Sequence, residues 1–207
     1  MAACPAGVGG FAVTGVVLGC SHTAAVGIDP ESGYAACLSR AFDCDVQNLG
    51  RSGAGAQWVV TAWRDCLRQG TRPQWAVAQW PSWCRLQVYN RGRWRWENAH
   101  HHSAAFAGLL AAGVENFEQA WLDAVITADT LAALAAVPLI HIVLEDMPEH
   151  MIRVLQQQGI NIHWDQKQPG KTWLFDSAAQ DGVHHSAQCH QQWAHRIQEL
   201  IQNELTQ

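Results

Sequence analysis

Residues 11–21 read Phe-Ala-Val-Thr-Gly-Val-Val-Leu-Gly-Cys-Ser, an apolar run that ends in three small residues. The β-branched part, 11–18, predicts a buried strand, and the residues after it predict a turn. Comparable short apolar runs occur at 45–49, 75–80, 138–144 and 160–164. Apolar strands that alternate with helices form a parallel sheet covered on both faces. The sequence therefore predicts an α/β fold, a three-layer α/β/α sandwich with a parallel sheet of about five strands.

The segments between the predicted strands carry helix signals. In Asp29-Pro30-Glu31 a capping residue precedes proline, which is typical of a helix start, whereas Gly70 follows an amphipathic stretch and is typical of a helix end. The predicted helices cover 29–42, 55–69, 148–158 and 186–205, and a helix or pair of helices is predicted over 114–135. Residues 81–105 and 165–183 show no clear period. We expect irregular segments there, within a single domain that spans 1–207.

Composition excludes several classes of protein. Of the 207 residues, 48% are hydrophobic and 15% are charged, so a packed core is expected and general disorder is not. No apolar run reaches the roughly 18 residues of a membrane span. The net charge of −5 argues against binding duplex nucleic acid through bulk electrostatics. Eleven tryptophans exceed what a core of this size needs and point to a stacking surface.

Cysteine usage and the first residues bear on localisation. The seven cysteines form no Cys-x-x-Cys pair, which is typical of free thiols in a reducing compartment. The apolar start lacks a basic segment, so we expect no secretory signal and a cytoplasmic protein, with incorporation into a larger particle or non-standard export left open. Residues 17–20 resemble a lipoprotein cleavage site, but cleavage there would remove the first predicted strand.

Polar residues follow several of the predicted strands. Because the carboxyl ends of parallel strands form the ligand-binding edge of such a sheet, we expect these residues to lie together. They include a serine, a glycine-rich turn and an Asp-x-x-His pair, which are the groups that nucleophilic acyl transfer requires. The segments are Gly19-Cys20-Ser21, Asn48-Leu49-Gly50-Arg51-Ser52-Gly53, Gln79-Trp80-Pro81-Ser82 and Asp181-Gly182-Val183-His184-His185-Ser186.

These segments resemble the sequence blocks of the SGNH (GDSL-type) hydrolases over essentially the whole chain. The family's Gly-Asp-Ser block reads Gly19-Cys20-Ser21, its Asn-x-Gly-x-x-Gly block is intact at 48–53, and its Asp-Gly-x-His-x-Ser block is intact at 181–186. The resemblance implies an SGNH-hydrolase-like (flavodoxin-like) domain with Ser21 as nucleophile, His184 as general base and Asp181 as its orienting partner. It also implies that the amides of Ser21 and Gly53 bind the oxyanion.

Two departures from the family pattern concern the same site. Cys20 replaces the aspartate beside the nucleophile, and the Gly-x-Asn-Asp block is absent, with 79–82 in its place. The missing asparagine is the family's side-chain oxyanion donor, and losing one such donor typically costs about 10²–10³ in turnover. Gln79, Ser82 and Arg85 are the candidate replacements.

Each site residue also has a structural interpretation. Ser21 could close a turn, and Asp181 to His184 could be a turn before a helix capped by Ser186. We expect Cys20 to be a packed thiol, because neighbours on an extended strand point to opposite sides. His185 is a second candidate base. His22 is interpreted as a rim residue and His190 as structural.

The segment 80–96 interleaves aromatic and arginine side chains and contains no acidic residue. Such a surface suits sugar rings and adjacent anionic groups, although the same residues could pack as a lid on the core, and single-stranded nucleic acid is a third use. The candidate substrate-binding residues are Trp80, Trp83, Arg85, Trp94 and Trp96. The consecutive histidines 100–102 cannot all point one way, so we expect no metal centre and no cofactor.

The sequence thus predicts a serine esterase or deacylase that acts on a small-molecule or carbohydrate ester, with O-acetylated sugars as the first class to test. The alternative is a binding module of the same fold that recognises a glycan or partner protein through the Trp/Arg-rich segment. A structural subunit of a larger assembly is a third hypothesis. The oligomeric state and the acyl group are left open.

Overall fold

The computed structural model describes residues 15–83, 85–90, 93–98, 113–144, 147–163 and 184–206. Five strands form one sheet: β1 (Gly15–Gly19), β2 (Val46–Gly50), β3 (Trp75–Trp80), β6 (Leu139–Val143) and β7 (Ile162–His163). Their order across the sheet is β2-β1-β3-β6-β7, and every neighbouring pair is parallel. The predicted α/β fold with a five-stranded parallel sheet is confirmed.

Helices cover both faces of the sheet. They are α1 (Tyr34–Phe42), α2 (Ala56–Arg68), α3 (Val114–Ala135), α4 (Glu149–Gln157) and α5 (Ala187–Leu205). One apolar cluster joins the sheet to α2, α3 and α4, and a second cluster joins the opposite face to α1 and α5. The sheet and the two groups of helices that cover its faces are the three layers.

Strand β1 shows how one short sequence serves both layers. Its three valine and leucine side chains are fully buried, with Val16 and Leu18 in the cluster beneath α2 to α4 and Val17 in the cluster beneath α1 and α5. Alternate side chains of a strand point to opposite faces, so a strand covered on both sides must be apolar at every position. The sequence of β1 therefore places it in the centre of the sheet, with β2 and β3 on either side.

The predicted helix over 29–42 is divided in two. Asp29 caps a 3₁₀ turn at Pro30–Ser32 by accepting a hydrogen bond from the Glu31 amide (3.1 Å), and α1 begins only after Gly33. The backbone of Gly33 is extended, and a Cβ there would lie 2.8 Å from the Ala25 Cβ. Close packing against the turn that follows β1 thus interrupts the helix.

The excursion over 81–105 contains regular structure where an irregular segment was expected. Strands β4 (Arg85–Asn90) and β5 (Arg93–Asn98) form a separate antiparallel hairpin, in which Tyr89 pairs with Trp94 and Gln87 with Trp96. The other predicted irregular segment, 165–183, lies outside the described residues. Of the helices described, none combines the length and apolar character needed to cross a membrane.

Candidate active site

Ser21 lies in a tight turn at the carboxyl end of the central strand β1. The amide of Ala24 donates to the Cys20 carbonyl (3.0 Å) and the amide of Val26 donates to the Ser21 carbonyl (3.0 Å). Ser21 is 6% exposed, so the turn holds it in a sheltered position. The carboxyl end of a central parallel strand is where ligands bind in sheets of this type.

Two neighbouring glycines allow this turn to rest directly on the sheet. Gly19 and Gly50 are register partners at the ends of β1 and β2. A Cβ on Gly19 would lie 2.1 Å from the Thr23 Oγ1, and a Cβ on Gly50 would lie 2.5 Å from the Ala24 amide nitrogen. No side chain fits at either position, because real Cβ contacts are much longer than these distances. The two glycines therefore set how closely the turn approaches the strand ends.

Asn48 joins the same turn to strand β2. Its side-chain nitrogen donates to the Thr23 carbonyl (2.7 Å), and its side-chain oxygen accepts from the Gly50 amide (2.9 Å). Beyond Gly50 the chain turns back to β1, since the Arg51 amide donates to the Gly19 carbonyl (3.0 Å). Gly53 follows with φ of 73°, a conformation that favours glycine. The Asn-x-Gly-x-x-Gly segment is thus built against the turn that carries Ser21.

Gln79, at the end of β3, closes the turn from the other side. Its side-chain oxygen accepts from the Cys20 amide (3.3 Å), the Cys20 thiol (3.1 Å) and the Thr23 hydroxyl (3.1 Å). Its side-chain nitrogen donates to the Trp80 carbonyl (2.8 Å). Because an oxygen rather than an N–H faces the turn, this orientation argues against Gln79 as the replacement oxyanion donor. Cys20 is 2% exposed and packs as a thiol.

Ser82 is the second candidate oxyanion donor. It is 5% exposed, and its Oγ has no hydrogen-bond partner among the described residues. The preceding carbonyl, of Pro81, accepts from the Trp121 indole N–H (2.9 Å), which ties this loop to α3. A buried hydroxyl without a partner costs about 1–3 kcal/mol, so its free hydrogen-bonding capacity is a feature that a bound substrate could use.

Three histidines lie together next to Ser21. The ring of His22 lies 5.5 Å from the ring of His184 and 4.8 Å from that of His185, centre to centre. Trp193 of α5 lies under this group, 5.9 Å from His22 and 4.9 Å from His185. Burial, and to a smaller extent the neighbouring His184, lowers the pKa of His185 and favours its neutral form. The structure thus places the two candidate bases, His184 and His185, against His22, which directly follows Ser21.

Helix α5 holds the histidine loop in place. Ser186 caps the helix, with its Oγ accepting from the Cys189 amide (3.4 Å). One turn later, His190 is fully buried and its Nδ1 accepts from the Tyr34 amide at the start of α1 (3.2 Å). His190 is therefore a structural link between two helices.

The chain is similar in structure to several esterases and lipolytic proteins. The chain matches a protein assigned to the lipolytic G-D-S-L family from Desulfitobacterium hafniense at 14% identity and a TM-score of 0.56, over 88% of this chain and 96% of that one. It matches the psychrotrophic esterase EstA from Pseudoalteromonas sp. at 12% identity and a TM-score of 0.61, over 94% and 100%. A carbohydrate esterase of family 2 from Corynascus thermopiles matches at 12% identity and a TM-score of 0.62, over 100% and 69%.

The chain has the SGNH-hydrolase fold. No protein-family model matches the sequence, and no curated protein matches it either. At 11–17% identity, the similarity to solved structures establishes the fold alone.

The SGNH fold brings some predicted site residues together and leaves others elsewhere. Ser21, Gly53 and His184 lie on segments that meet at the carboxyl edge of the sheet. Asp181, the implied partner of His184, lies outside the described residues, as do the histidines 100–102. Among the described residues, no group of three or more His, Cys, Asp or Glu side chains could hold a metal ion.

The candidate substrate-binding residues divide into two groups. Trp80 is 1% exposed and its indole N–H donates to the His141 Nδ1 (3.0 Å), so it is a core residue that a substrate cannot contact. Trp83 is partly buried against the same core. Arg85, Trp94 and Trp96 belong to the hairpin strands.

Sequence reasoning missed the residues that support Ser21. His22, interpreted as a rim residue, contacts both candidate bases, and Gln79 supports the turn where an oxyanion donor was expected. Thr23 joins Gln79 to the Tyr34 hydroxyl (2.8 Å), and burial raises the pKa of that phenol well above its usual range. The two-residue connection Arg91-Gly92 between alternating sequences was the signal that could have identified the hairpin.

Proposed function

We propose that the protein is a serine esterase with Ser21 as nucleophile and His184 as general base, oriented by Asp181. The observation that carries the proposal is the meeting of the Ser21 turn with the His184–His185 loop at the carboxyl edge of an SGNH-type sheet. An esterase and a carbohydrate esterase of the same fold support the reaction class.

In the proposed reaction, the Ser21 Oγ forms a bond to the ester carbonyl carbon while its proton passes to His184. The amides of Ser21 and Gly53, with Ser82 as a third donor, stabilise the oxyanion. Collapse breaks the carbon–oxygen bond, and the alcohol leaves with the proton from His184. Water then attacks the acyl-enzyme, returns a proton through His184, and releases the acid and free Ser21.

A fluorophosphonate probe tests this machinery before any substrate is known, because it reacts with an activated serine. We expect one adduct per chain, located on Ser21 by peptide mass spectrometry, and none in Ser21→Ala. His184→Ala should lose the adduct, whereas His195→Ala, an exposed histidine on α5, should keep it. An adduct that persists in His184→Ala and disappears in His185→Ala would assign the base to His185. No adduct on folded wild-type protein would refute the esterase.

A carbohydrate ester is the substrate class that we propose. The hairpin pairs Tyr89 with Trp94 and Gln87 with Trp96, which brings aromatic residues and an amide into adjacent register positions. Aromatic rings stack on sugar rings, and amides bind their hydroxyls. We expect Trp94→Ala to raise KM for an O-acetylated oligosaccharide and to leave hydrolysis of 4-nitrophenyl acetate unchanged. Equal effects on both esters would refute a sugar-binding role.

The orientation of Gln79 favours a second function, a glycan-binding module without turnover, because its side chain presents an oxygen to the Ser21 turn and so does not replace the missing asparagine donor. On this hypothesis, a glycan array would show binding that Ser21→Ala leaves intact, and the probe would leave wild type unlabelled. Labelling of Ser21 decides between the two functions.

A further inference from the structure

The side chain of Gln79 forms hydrogen bonds on both sides of Ser21. It is 1% exposed, and its oxygen receives hydrogen bonds from Cys20, one residue before Ser21, and from Thr23, two residues after it. The side-chain nitrogen of Gln79 donates to the carbonyl of Trp80, the last residue of the same strand. Gln79 therefore connects β3 to the turn of the candidate nucleophile.

The orientation of this carboxamide follows from its partners. A backbone amide can only donate a hydrogen bond and a backbone carbonyl can only accept one. The Cys20 amide must therefore face the side-chain oxygen of Gln79, and the Trp80 carbonyl must face its nitrogen. If the carboxamide were rotated by 180°, its nitrogen would face the Cys20 amide, donor against donor, and its oxygen would face the Trp80 carbonyl, acceptor against acceptor. The assignment of oxygen and nitrogen is thus set by the backbone on both sides.

This orientation explains why a cysteine replaces aspartate next to Ser21. The Cys20 thiol donates to the Gln79 oxygen over 3.1 Å. A carboxylate at position 20 would set a negatively charged acceptor against that oxygen, which cannot turn away without losing two backbone hydrogen bonds. Thiol and glutamine are complementary, so the two departures from the family pattern form a single matched pair.

We propose that Gln79 is a positioning residue for Ser21, and that Cys20 and Gln79 together hold the nucleophile turn. This inference rests on the proposed function for its effect on reactivity. Displacing a reacting group by about 1 Å costs roughly 100-fold in rate. A loosened turn should therefore slow the reaction of Ser21 while the protein stays folded.

Gln79→Met is the direct test, since methionine has a similar length, its thioether accepts hydrogen bonds only weakly, and it cannot donate one to the Trp80 carbonyl. We expect the first-order rate of fluorophosphonate labelling at saturating probe to fall roughly 10- to 100-fold. Gln47→Met is the matched control, because Gln47 lies on β2, which borders β1 on the side away from β3, and it also faces a cysteine thiol, that of Cys66 (4.0 Å). Its labelling rate should equal that of wild type. Equal rates for Gln79→Met and wild type would overturn the proposal.

Three substitutions at Cys20 test whether Cys20 and Gln79 form a matched pair. They also test the proposal if Gln79→Met does not fold. Cys20→Ser keeps a donor toward Gln79 and should label at close to the wild-type rate. Cys20→Ala should label more slowly, and Cys20→Asp, which reinstates the aspartate of the family, should be slower still. Faster labelling of Cys20→Asp than of wild type would show that the pair is not complementary.

Hydrogen exchange separates a failure of this inference from a failure of the proposed function. In Gln79→Met, amides in the peptide covering residues 19–27 should exchange faster than in wild type, whereas Gln47→Met should leave them unchanged. If wild type takes no probe but exchange rises as expected, the esterase is refuted and the positioning role stands. Unchanged exchange refutes the positioning role, whatever the probe shows.

Discussion

His190 makes the stability of this protein depend on pH in a direction that the structure determines. The side chain is fully buried, its Nδ1 accepts from the Tyr34 amide, and its ring lies 4.8 Å from the ring of Trp193. Burial is the main cause that lowers its pKa from the ordinary value of 6.5 to about 4, and the nearby His185 and His184 add to the effect. The folded protein therefore holds His190 neutral at a pH where the unfolded chain protonates it.

The sign and size of the effect follow from this difference. Between pH 6.5 and about 4 the unfolded chain binds a proton that the folded chain does not, so stability is complete above pH 6.5 and falls as the pH drops toward 4. Each pKa unit is worth about 1.36 kcal/mol, so the loss from His190 approaches roughly 3 kcal/mol at the lower end. That is a large part of the roughly 5–15 kcal/mol that stabilises a typical domain.

His190→Asn removes the titration and keeps an acceptor near the position of Nδ1. Urea unfolding at pH 7, 6, 5 and 4.5 should show that wild type loses about 2–3 kcal/mol more than the variant across this range. Some pH dependence should remain in His190→Asn, because burial also lowers the pKa of His163 and His185. His195→Asn, on the exposed side of the same helix, should behave like wild type. Equal losses for wild type and His190→Asn would refute the reasoning.

Two further substitutions test the packing around Ser21 and the role of Trp80. Gly50→Ala sets a Cβ 2.5 Å from the Ala24 amide nitrogen, so the turn must shift. We expect the free energy of unfolding in urea to fall by about 1–3 kcal/mol and the probe to label Ser21 more slowly. Unchanged labelling would contradict the close approach of the turn to Gly50. Trp80→Phe keeps a ring but leaves the His141 Nδ1 without its donor. We expect the free energy of unfolding to fall by about 1–3 kcal/mol and KM for a sugar ester to stay unchanged. A raised KM would indicate that Trp80 contacts the substrate.

The fold could be predicted from the sequence because the buried strands are apolar at nearly every position. Strand β3 has the bounds that its sequence predicts, Trp75–Trp80, and each predicted helix contains the observed one, with differences of a few residues. The divided helix after Asp29 could not be predicted, since its cause is the contact between Gly33 and Ala25, which depends on how the first turn folds.

The sequence indicates candidate residues for the site, whose catalytic roles stay predictions, but it does not indicate the residues that support them. Ser21 and His184 belong to short sequence patterns, whereas the contact of Gln79 with Cys20 depends on the register between β1 and β3. The contact of His22 with the histidine loop depends on the packing of α5 on α1. Interactions of this kind join distant parts of the chain, so the local sequence does not predict them.

The tryptophan excess also has a structural explanation that composition does not provide. Five of the eleven tryptophans are at most 2% exposed and form part of the core; they are Trp63, Trp75, Trp80, Trp121 and Trp193. Trp80 and Trp121 use their indole N–H groups to hold His141 and the Pro81 carbonyl. These five are therefore no part of a stacking surface, and among the candidate substrate-binding tryptophans the argument for one rests on Trp94 and Trp96 of β5 and on the partly buried Trp83.

The supports of the Ser21 turn favour catalysis over simple binding. Gly19 and Gly50 bring the turn onto the strand ends, Asn48 holds it from β2 and Gln79 holds it from β3. A module that bound a glycan through its hairpin would gain nothing from restraining this serine. An acyl-transfer enzyme does gain, because a nucleophile and its oxyanion donors accelerate a reaction only when they are oriented before the substrate arrives. Four independent restraints on one serine are therefore better explained by a reaction at that serine than by the fold alone.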